Sequence, residues 1–69
     1  MEWLEPMHEY QERVKTEKAE LDEKLTKLAA FVASEKFRDV PAAEQDRMRR
    51  QREIMWQYSE VLAERINAF

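Results

Sequence analysis

A chain of 69 residues with 12 Lys plus Arg, 15 Asp plus Glu, one His, and neither Gly nor Cys carries a net charge of −3. Without glycine it cannot build the phosphate-cradling loops that need close backbone approach, and without cysteine it has no disulfide, thiolate zinc site or thiol nucleophile. A core this small rarely supplies more than about 3–5 kcal/mol, so a single domain, residues 1–69, stabilised by a partner chain is expected.

Residues 1–5 read as an N-terminal arm lacking the basic start and apolar core of a signal peptide. From Met7, the residues Met7, Val14, Leu21 and Leu28 recur every seven positions, with Tyr10, Glu17, Lys24 and Phe31 three further on. This spacing predicts a helix over about 6–35 with an a/d seam, opened by Pro6 in its first turn. Leu25 and Val32 then fall one step off the seam. Pro41 disfavours helix at Val40 and suits the first position of a second helix, about 41–68. There Met48, Met55, Leu62 and Phe69 are seven apart, flanked by Ile54, Val61 and Ala68 on one side and Arg52, Ser59 and Ile66 on the other. The fold class is all-α, an antiparallel two-helix hairpin about 40 Å long at 1.5 Å per residue.

One hairpin cannot cover so broad an apolar face, and Trp3, Leu4 and Trp56 are left over. Assembly into a helical-bundle homo-oligomer, through Ile54, Val61, Leu62, Ile66 and Phe69, is the expected remedy. No stretch approaches the roughly 20 apolar residues of a membrane span, so no membrane contact and a cytoplasmic location are expected.

Little in the chain suits catalysis. His8 with Glu12 supplies two possible metal ligands, too few for a site, and the carboxylates lie mostly outside the seam. The chain reads as a non-enzyme without metal or cofactor. Glu17 and Lys24 occupy d positions normally held by Leu or Ile. Centring the turn near residue 40 sets Glu17 near Leu62 and Arg65, and Lys24 near Met55, Tyr58 and Ser59. Two readings stay open: a Glu17–Arg65 ion pair that fixes register, or a polar pocket in which Lys24, Tyr58, Ser59 and Arg65 hold an anionic ligand.

Basic charge gathers in residues 36–52, which hold six Lys or Arg against three acids. Arg49 and Arg52 lie on one side of the second helix, Arg47 and Arg50 on another, and Lys36 and Arg38 precede them at the same tip. A small phosphorylated ligand suits this tip better than a long nucleic acid, which the acidic remainder would repel. Tyr10, Trp56 and Tyr58 are core or stacking aromatics, and Tyr10, with Arg13 one turn along, is the best placed to stack on a base.

The strings Tyr10-Gln11-Glu12-Arg13-Val14, Glu20-Leu21-Asp22-Glu23-Lys24-Leu25, Arg49-Arg50-Gln51 and the closing Tyr58-Ser59-Glu60-Val61-Leu62-Ala63-Glu64-Arg65-Ile66-Asn67-Ala68-Phe69 resemble a family of short phage and prophage proteins related to a small protein of crAss-like phages. The likeness spans about residues 8–69. That family in turn resembles the phage sponges that oligomerise and sequester the cyclic nucleotide or cyclic ADP-ribose signals of CBASS and Thoeris immunity. The resemblance implies an anti-defence protein of the bacterial cytoplasm, with Tyr10 and Lys24 as counterparts of the sponges' ligand-contacting tyrosine and lysine. The expected ligand-binding residues are Tyr10, Arg13, Lys24, Arg49, Arg50, Arg52, Tyr58, Ser59 and Arg65. The expected partners are a second copy of the chain and a signal nucleotide. The alternative is an interaction module that docks its apolar helix face onto a host protein and inhibits or redirects it.

Overall fold

The computed structural model describes the backbone of residues 5–69 and the side chains of residues 9–69. Two helices, α1 (Glu5–Val32) and α2 (Ala42–Asn67), pack along each other as a hairpin, joined by a 3-10 turn at Glu35–Asp39. No strand occurs among the described residues. Glu5 already belongs to α1, while the rest of the expected arm, with Trp3 and Leu4, and the side chains of Met7 and His8 lie outside the described set.

The first helix stops three residues short of the expected end. Ser34 turns out of it, its backbone N–H donating to Phe31 O at 3.0 Å and its hydroxyl to the same carbonyl at 2.6 Å. Such local side-chain bonds offer the backbone an alternative to further helix. Pro41 sits just before α2, and its carbonyl accepts the first helical bond from Gln45 N–H at 2.9 Å. Gln45 also clasps the connection: its side-chain amide donates to Phe37 O at 3.0 Å and Val40 O at 2.8 Å. Phe37 is buried there, edge-on to Phe31 with ring centroids 6.0 Å apart and with the Arg49 guanidinium over its face at 5.0 Å.

The seam differs from the expected a/d grid. In α1 the positions turned inward are Gln11, Val14, Lys18, Leu21, Leu25, Leu28 and Val32, and in α2 they are Gln45, Met48, Arg52, Met55, Ser59, Leu62 and Ile66. Both sets alternate steps of three and four, which keeps a stripe on one side of a helix. Val14, Leu21 and Leu28 are as expected, but their partners lie four residues on, at Leu25 and Val32, not three. Leu25 and Val32 are therefore hairpin core, whereas Tyr10, Glu17 and Lys24 are exposed. Leu62, fully buried, and Ile66 likewise pack within the hairpin; Ile54 and Val61 stay open to solvent. Among the described residues only Val14, Phe37 and Leu62 are buried apolar side chains, and of these Leu62 is the one fully buried.

Candidate functional site

The antiparallel register brings two sets of polar side chains together on opposite sides of the hairpin. On one side, Ser59 is buried between Lys18 and Asp22. Lys18 Nζ donates to Ser59 Oγ at 3.1 Å and to Asp22 Oδ2 at 2.6 Å, and the Ser59 hydroxyl donates to Asp22. The Lys18 bond, and after it the Ser59 bond, hold the Asp22 carboxyl below its ordinary value of 3.8. Lys18 reaches this position because its aliphatic stem lies along the seam while its ammonium turns outward.

One turn nearer the connection, the same side opens into a groove of about 350 Å³ lined by Leu25, Ala29, Arg52, Glu53 and Trp56. Its walls are mostly apolar, and the Trp56 indole is 50% exposed. Arg52 makes no ion pair among the described residues. Arg49, on this side too, is held by Asp46 at 3.5 Å and by the Phe37 ring.

The opposite side carries Tyr10, Lys24, Tyr58 and Arg65. The Arg65 guanidinium lies 5.4 Å from the centre of the Tyr10 ring and donates to the Tyr10 hydroxyl, while Phe69 stacks at a tilt with centroids 6.0 Å from Tyr10.

Several expectations are corrected. Arg65 pairs with Tyr10, not with Glu17, because the shifted seam turns Glu17 out to solvent. Ser59 takes Lys18, not Lys24, for the same reason. Arg13 bonds Glu9 at 3.5 Å, both side chains being exposed. Arg50 is exposed and without an ion pair among the described residues. Within one hairpin the nine expected ligand residues thus do not share one pocket: Arg49, Arg52 and Ser59 line one side, Tyr10, Arg13, Lys24, Tyr58 and Arg65 belong to the other, and Arg50 is exposed away from both. Sequence reading missed Lys18, Asp22, Leu25, Ala29 and Glu53. Trp56 is a stacking aromatic on sequence grounds, and only the antiparallel register shows it opposite Leu25 and Ala29. No cluster of three metal-ligating side chains occurs among the described residues, and none of the described helices is long and apolar enough to cross a membrane.

A family model described as Sequestin matches residues 8–68. The chain belongs to the Sequestin family. Nearly the whole hairpin is Sequestin sequence, from the start of the described α1 side chains to the end of α2, and both polar clusters and the Trp56 groove fall inside the match. No curated protein and no solved structure is significantly similar to this Sequestin chain.

Proposed function

We propose that this protein is a non-enzymatic sequestering protein that self-associates and holds a small phosphorylated signal nucleotide without turning it over. The observation that carries the reading is the groove at Trp56. An exposed indole offers a stacking face, Arg52 offers phosphate a guanidinium without an ion pair among the described residues, and the Glu53 carboxylate, which takes one bond from Gln57, has a further oxygen to accept from a ribose hydroxyl or an exocyclic amine. A groove of about 350 Å³ lies within the range of small-molecule sites. The family name is that of a sequestering protein, and the resemblance to phage sponges points to cyclic nucleotides or cyclic ADP-ribose in the cytoplasm of an infected bacterium.

Chemistry around Ser59 supports binding over catalysis. Lys18 is engaged as a donor to two oxygens and has no lone pair for proton abstraction, and Asp22 is a weakened base, its carboxyl being held below 3.8. Neither neighbour activates the hydroxyl.

Thermal shift against cyclic dinucleotides, cyclic trinucleotides and ADP-ribose derivatives tests the reading. At 100 times its Kd a ligand stabilises the fold by about 2.7 kcal/mol, roughly 10–20 °C for a chain of this size. The recovered ligand should be chemically unchanged. No shift with any member overturns the nucleotide reading, and a stoichiometric host protein recovered on the apolar side would replace it with the interaction module.

A further inference from the structure

Glu17 and Lys24 face away from the hairpin seam, and neither makes an ion pair or a side-chain hydrogen bond among the described residues. Seven residues apart, they share the side of α1 that carries Tyr10. On α2 that side presents Ile54, Tyr58 and Val61, which are 58, 43 and 50% exposed. An acid and a base at matched spacing beside an apolar stripe form a self-complementary surface, the requirement for a two-fold contact.

We infer that this side docks a second copy of the chain, antiparallel and helix on helix, about a two-fold axis lying across both helices. The register is set twice, independently. For Glu17 to meet the partner's Lys24, the axis must cross α1 midway between them, at Glu20–Leu21. For Ile54 to meet the partner's Val61, it must cross α2 midway between those, at Gln57–Tyr58. The hairpin already sets these levels side by side: Lys18 and Asp22, which bracket Glu20, both bond Ser59. The two crossings agree to within about 2 Å at 1.5 Å per residue. One axis therefore forms two Glu17–Lys24 pairs and two Ile54–Val61 contacts, brings Tyr58 against the partner's Tyr58, and carries Tyr10 toward the partner's Phe31.

Four helices, each antiparallel to its neighbours, result. Trp56, about 160° around α2 from Tyr58, stays on the outer surface, so each copy keeps its own groove. The inference deepens the self-association in the proposed function and is independent of which ligand the groove takes.

Light scattering and sedimentation test it on the full chain. Wild type should have twice the 8.4 kDa chain mass. Glu17→Lys and Lys24→Glu, each with helix content confirmed by circular dichroism, should raise the dissociation constant at least about tenfold by setting like charges opposite each other. The double variant E17K/K24E should restore wild-type affinity. In this cysteine-free chain, Y58C should form a disulfide dimer under mild oxidation and E60C, on the outer surface, should not. A mass of 8.4 kDa at all concentrations overturns both self-association and this face. An assembly indifferent to both charge reversals, or one not rescued by the double variant, overturns the face alone. Nucleotide-induced thermal shifts report on the groove separately.

Discussion

Ser59 is buried at a position where a helical seam ordinarily carries an aliphatic side chain, and it is tolerated because its hydroxyl both accepts and donates. Ser59→Ala should cost about 1 kcal/mol in a denaturant melt, since the cavity is negligible and the loss is the hydrogen bonds. Asp22 makes the cluster sensitive to acid. Its folded carboxyl titrates below the ordinary 3.8, so its contribution is fully present above that value and is lost as pH falls through the lowered one. Melting curves between pH 6 and pH 2.5, read against Asp22→Asn, should therefore show wild type losing its advantage below about pH 4. Trp56 belongs to the proposed binding surface more than to the core, being half exposed. Trp56→Ala should leave the melting temperature nearly unchanged while weakening nucleotide binding at least about fivefold, the lower end of base stacking, as titration calorimetry would report.

At the scale of elements, the connection is held by Phe37 and Gln45 and the helix pair by Leu62. Leu62→Ala should destabilise by about 2–5 kcal/mol, and Leu62→Asp should unfold the chain, because the side chain has no exposed surface through which a charge could reach water. Circular dichroism melts distinguish the two. Both helices, the break before Pro41 and the antiparallel pairing were legible from spacing and proline alone. The inward stripe of α1 was not. Val14, Leu21 and Leu28 are compatible with a second row three residues on or four residues on, and each row mixes apolar with charged side chains. Tyr10 and Phe31 favour one row, Leu25 and Val32 the other. The choice turns on Lys18, whose stem can lie in a seam while its charge finds Asp22 and Ser59, an arrangement that exists only across two helices. The groove was hidden for the same reason: Leu25, Ala29 and Trp56 are far apart in sequence and meet only once the register is set.

For the whole molecule, the division of labour between two sides matters more than the net charge of −3. One side combines a groove with a guanidinium and a stacking face; the other carries the apolar stripe with Glu17 and Lys24. Raising salt from 50 mM to 500 mM should weaken nucleotide capture, since the Arg52 contact is exposed to screening, and should weaken assembly less, since the apolar contacts are not screened. Calorimetry and sedimentation at the two ionic strengths separate these effects.

Among the described residues the hairpin buries just three apolar side chains, Val14, Phe37 and Leu62. If copies pair as inferred, so thin a core gains rigidity from its neighbour, and its slowest amide protons should exchange faster on dilution. The groove is then best ordered above the dissociation constant of the pair, and capture of the proposed nucleotide should strengthen there.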